Sequence, residues 1–124
     1  MRFMMLVKHA EPSVPPTKEL MDALTKLGEE AVKAGTMIAS GGLAPTAKST
    51  RVRLSRGQVT PMDGPFTEAK EVVGGFAIFE LKSKQEAIEA ALGFMELHRK
   101  HSPGWEGETE VRQILAPEDF APKG

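Results

Sequence analysis

Asp63, in the run Asp63-Gly64-Pro65-Phe66, is the first position whose type and setting suggest chemistry. Gly and Pro force a tight turn there, which can hold a carboxylate at the mouth of a cleft as an acid or a base. Asp before Gly is also ordinary turn chemistry, its carboxylate accepting hydrogen bonds from nearby backbone N–H groups, so both roles stay open. Glu68, Lys70 and Glu71 follow closely. They could assist proton transfer or hold an anion, or they could form a solvated charged turn or salt bridges between subunits. His9 closes an apolar run, from which it could reach the same cleft and pair with Asp63 as a general base; the alternative is a surface histidine.

Other candidates are weaker. His98 and His101 share a helical face, yet their place in a basic helix end favours exposure and contact with the helix dipole, so no metal site is assigned. Trp105 either lines a pocket or packs in the core or at a subunit seam. Lys48, Arg51, Arg53 and Arg56 lack interleaved aromatic residues and read as the solvated face of a hairpin, not as a nucleic-acid site. The glycine pairs at 41–42 and 74–75 are not a dinucleotide fingerprint, and no cofactor is expected. The chain has no cysteine, which removes disulfide, thiolate-metal and cysteine-nucleophile chemistry. Sixteen basic and 17 acidic residues leave a net charge of −1, with no general attraction to nucleic acid or an anionic membrane. No apolar stretch approaches the ~20 residues that cross a bilayer. The first residues lack a small-residue cleavage site, and the expectation is a cytoplasmic protein.

The elements that must position these residues follow from periodicity. Residues 3 to 7 and 74 to 81 are apolar at both parities, as in strands covered on both faces. Leu20, Leu24, Leu27 and Ala31 make a helical stripe between Thr17 and a capping Gly35. Residues 37 to 40 read as a shorter strand, and 50 to 60 as a hairpin turning at Arg56-Gly57. Ser83 and Glu86 have capping-box spacing ahead of a second helix, whose stripe is Ile88, Ala91, Leu92 and Met95 and which stops before Pro103-Gly104. A strand from Glu110 to Leu115 precedes a Pro- and charge-rich tail. The fold class is therefore α+β: a ferredoxin-like β-α-β-(hairpin insertion)-β-α-β with the two doubly apolar strands central. One domain, 1–116, is expected, with a flexible tail over 117–124. Helices on one face leave the sheet's other face bare, and a second subunit is the expected cover.

The run Asp63-Gly64-Pro65-Phe66-Thr67-Glu68-Ala69-Lys70-Glu71, followed by Gly74-Gly75-Phe76, resembles the signature of the DGPF family within the YCII-related group. Glu110-Val111-Arg112-Gln113 resembles that family's closing strand. The resemblance runs from Met1 to Ala116 and implies a dimeric, ferredoxin-like α+β barrel of bacterial origin, with no established reaction. Some YCII relatives pair a histidine on the first helix with an aspartate in an Asp-Pro-aromatic segment near the end of the second. Here Thr17 to Ala34 contains no histidine, and His101-Ser102-Pro103-Gly104-Trp105 contains no aspartate, so that dyad is not carried over. Two functions stay open. One is a cofactor-independent lyase, isomerase or hydrolase acting on a small molecule, with Asp63 as acid or base and His9 or Glu68 assisting. The other is a non-catalytic homodimeric ligand-binding or regulatory module, with the Asp63-Gly64-Pro65-Phe66 segment as a structural clasp between subunits. Lys70, Glu71, Phe76 and Trp105 would line or flank the site in either case.

Overall fold

The computed structural model describes residues 1–120. Its elements run β1 (Arg2–His9), α1 (Lys18–Lys33), β2 (Met37–Gly42), a 3-10 turn (Thr46–Lys48), β3 (Thr50–Ser55), β4 (Gln58–Asp63), β5 (Val72–Glu80), α2 (Lys84–His101), β6 (Glu108–Ile114) and a 3-10 turn (Pro117–Phe120). This is the expected α+β order. The expected tail begins as the second 3-10 turn, and 121–124 lie outside the described residues.

Four strands form one antiparallel sheet in the order β2-β5-β1-β6, which is the ferredoxin-like arrangement. The two doubly apolar strands are the central ones, as a strand flanked on both sides requires. One chain closes no barrel, because β2 and β6 are the sheet's two edges. β3 and β4 stand apart as a two-stranded hairpin that turns at Arg56 (φ 53°) and Gly57 (φ 76°), the paired positive φ values of a type I′ turn. β4 runs on to Asp63, which pairs with Thr50 at the open end of the hairpin.

The helices start and stop where their caps direct. The Thr17 hydroxyl accepts from the Leu20 N–H at 3.1 Å. At the other end of α1, Gly35 (φ 74°) donates to Val32 O and Thr36 to Ala31 O, the two bonds of a Schellman cap. Ser83 caps α2 by accepting from the Glu86 N–H at 3.2 Å, while Glu86 reaches back to the Lys82 N–H at 3.3 Å.

The packed core is small. Phe3 and Met5 of β1 lie against Ala87 and Ala91 of α2, with Ala77, Phe79, Leu81, Ala90 and Val111 around them. Two alanines on α2 let the helix come close to the sheet. Burying Phe3 and Met5 there contributes about 1.5–3 kcal/mol each. The sequence stripe for α2 was off by part of a turn: Leu92 is 60% exposed, and the inward line is Ala87, Ala91, Phe94 and His98.

Candidate functional site

A cleft of about 1220 Å³ lies between α1, α2 and the sheet. α1 contributes Leu20, Leu24, Leu27 and Ala31, the stripe its helical spacing predicts. Facing them are Ala90, Ala91 and Phe94 of α2 and Met5, Val7, Ala77 and Phe79 of the sheet. Of the α1 stripe only Leu20 is buried, so the stripe borders open space instead of closing onto a core. Among the described residues no Lys, Arg or Asp lines the cleft, and Glu11 is its one charged carboxylate. In a chain that is 27% charged, that exclusion belongs to the cleft and not to the composition.

One wall is built by the Asp63-Gly64-Pro65-Phe66 segment, and its hub is Thr46. The Thr46 N–H donates to the Glu11 carboxylate at 3.0 Å, and the Thr46 hydroxyl donates to the other Glu11 oxygen. The hydroxyl bond first, and the backbone bond second, hold the Glu11 carboxyl below its usual range. The Thr46 carbonyl accepts from the Ser49 hydroxyl at 2.8 Å, and the Thr46 hydroxyl accepts from the Phe66 N–H at 3.3 Å. Gly64 donates to Ser49 O at 2.8 Å. It sits so close to Thr46 that a Cβ at this position would fall 1.7 Å from the Thr46 carbonyl oxygen, and only glycine fits. Phe66 is buried, 6% exposed, with the Arg51 guanidinium 3.7 Å from its ring centroid. Arg51 in turn pairs with Glu68 at 3.0 Å. The segment therefore clasps the hairpin base to the loop that carries Glu11, within one chain.

Each candidate residue can now be placed. Asp63 ends β4, is exposed, accepts from the Thr50 hydroxyl at 2.8 Å, and does not line the cleft. Glu68 is engaged with Arg51, outside the lining. Lys70 and Glu71 are exposed. Pro65, Phe66, Phe76 and Trp105 do line it, and the Phe76 ring lies against Gly41. His9 lines the cleft, its Nδ1 2.9 Å from the Ala10 carbonyl. A Cβ at Gly74 would come within 2.0 Å of His9 Nε2, so the imidazole rests on the bare glycine backbone. The charged neighbour of His9 is Glu11, not Asp63, because the His9 ring helps hold the Glu11 carboxyl low.

Two expectations are corrected. Arg51 is only partly solvated, its guanidinium drawn over Phe66, while Lys48, Arg53 and Arg56 remain exposed. His98 is not exposed: it is 7% accessible, its Nδ1 3.0 Å from the Phe94 carbonyl, and its ring packs at a tilt between Phe94 and Trp105, each with centroids 4.5 Å away. The spacing 87, 91, 94, 98 carried that signal, but the adjacent basic residues masked it. No local pattern marks Glu11, whose partner lies 35 residues away.

Ser102 follows α2 and lines the cleft with its Oγ buried and unbonded. The Thr17 hydroxyl donates to the His101 carbonyl at 2.5 Å, pinning the start of α1 to the end of α2 and setting the cleft's width there. No grouping of three or more His, Asp or Glu side chains suited to a metal occurs among the described residues.

The family of YCII-related domains matches residues 1–115. A stretch of 74 residues is 34% identical to an uncharacterised protein of Rhizobium meliloti (strain 1021), covering 60% of this chain and 60% of that protein. The chain thus spans about 60% of the length of the curated relative it matches.

Proposed function

The chain belongs to the family of YCII-related domains, and on that premise we propose that it is a homodimeric protein of the DGPF type that binds a small molecule in the cleft between its helices and its sheet. The observation that carries this reading is the cleft itself, walled by apolar residues from α1, α2 and the sheet and open where a core would otherwise close. In this reading Asp63-Gly64-Pro65-Phe66 is a clasp that shapes one wall. Asp63 supports it by its bond to Thr50 and its place outside the lining.

The dimer rests on the sheet face turned away from the helices. Strand alternation puts Met4, Leu6 and Ile78 there, Met4 and Ile78 as cross-strand neighbours. Ion pairs rim this apolar patch, Arg2 with Glu80 and Lys8 with Glu110. A second copy laid on the same patch would close the barrel that one chain leaves open.

A catalytic alternative survives on one observation: His9 is an ionisable group on the cleft wall, with Glu11 beside it. Asp63→Asn tests the clasp. The amide oxygen can still accept from Thr50, so the clasp reading expects unchanged stability and unchanged uptake of a neutral probe such as naphthalene. Loss of probe binding with the fold intact would return Asp63 to the site and sink the clasp.

A further inference from the structure

Resting on the reading of the cleft as a ligand site, we infer that its occupant is an uncharged, mainly apolar molecule bearing a hydroxyl group, anchored by Ser102 and His98 at the end of α2. The charge census decides against an anion. A carboxylate or phosphate entering this space would shed water and meet no lysine or arginine among the described residues that line it. It would meet the Glu11 carboxylate and the carbonyl end of α2 instead, both of which repel negative charge. The walls of Leu20, Leu24, Phe94 and Phe79 ask for an apolar body.

The hydroxyl follows from two side-chain atoms, Ser102 Oγ and His98 Nε2, that have no hydrogen bond among the described residues. Ser102 is 1% exposed, and its Oγ is buried with no hydrogen bond among the described residues, a state that folded proteins rarely tolerate without a partner. His98 has its Nδ1 against the Phe94 carbonyl, which can only accept, so Nδ1 carries a proton and, in the tautomer with one ring proton, Nε2 is an acceptor. A ligand hydroxyl donates to one and accepts from the other. Trp105, tilted against His98, supplies a flat apolar surface beside that anchor, which suits an aromatic alcohol or phenol.

Three probes of one shape and different head groups test this: naphthalene, 1-naphthol and 1-naphthoate, titrated into the full chain by calorimetry. Trp105 is the single tryptophan and there is no tyrosine, so quenching of its fluorescence reports occupancy of the cleft. The expected result is 1-naphthol binding about tenfold or more tighter than either naphthalene or 1-naphthoate. Ser102→Ala is expected to erase most of that preference and to fold at least as stably, since it removes an unsatisfied hydroxyl. His98→Phe, which keeps an aromatic ring against Trp105, provides a second variant with the same expected loss. Naphthoate binding as tightly as naphthol, or a naphthol preference that persists in both folded variants, overturns the inference. If naphthalene binds and naphthol gains nothing over it, this inference alone falls; if no probe quenches Trp105, the cleft reading falls with it.

Discussion

Gly64→Ala is the sharpest test of the clasp. Gly64 has no positive φ, so the backbone would accept alanine; the obstacle is the neighbour. The added methyl would lie 1.7 Å from the Thr46 carbonyl oxygen and 2.7 Å from its carbon, both backbone atoms that cannot swing aside. The turn must move by more than an ångström to reach ordinary contact. That shift stretches the Gly64 N–H bond to Ser49 and the Phe66 N–H bond to Thr46, each worth about 0.5–1.5 kcal/mol net. It also lifts Phe66 partly out of its buried place, where full burial contributes about 1.5–3 kcal/mol. A loss of about 2–4 kcal/mol follows, read as a fall in Tm of about 6 °C or more by circular dichroism. Gly93→Ala is the matched control. Gly93 lies in α2 with nothing within 4 Å of its would-be Cβ, and alanine there is expected to stabilise by about 0.5–1 kcal/mol. A Gly64→Ala variant as stable as the parent would refute the steric account of the motif.

Glu11 provides a pH test of the same clasp. Its carboxyl is held below the ordinary value of 4.5, so its contribution is complete above that value and is lost as pH falls through the lower folded one. Glu11→Gln is therefore expected to be less stable than the parent near neutral pH and to converge with it in acid, followed by urea denaturation; a difference that is constant with pH would contradict the Thr46 contacts. On the open sheet face, Ile78→Glu is expected to weaken the proposed self-association by about 2 kcal/mol or more, roughly thirtyfold in Kd, because it buries an unpaired charge at that seam. Sedimentation velocity measures this, and an unchanged dimer would move the interface elsewhere.

Much of this fold is readable from spacing alone. Val and Ile with aromatic residues at both parities in β5 identify a strand buried on both sides, and Leu20, Leu24, Leu27 and Ala31 identify the inner face of α1, because backbone periodicity decides which side chains share a face. Thr17, Gly35 and Ser83 mark helix ends through bonds that span only a few residues. What periodicity does not encode is how far a face stands from whatever it faces. That α1 borders a cleft, and not a closed core, depends on the Thr17 bond to His101 and on the loop held by Glu11, contacts that span 84 and 35 residues. The same limit governs the motif. Asp63-Gly64-Pro65-Phe66 reads locally as a turn with a carboxylate to offer, and its meaning changes only when Thr46, 20 residues before Phe66, is brought against it. Tertiary packing turned Asp63 toward Thr50, put Glu11 beside His9, and buried His98 next to an unbonded Ser102. Residue types were enough to nominate chemistry, but the meeting of chain-distant groups, which no local pattern records, selected among the nominees.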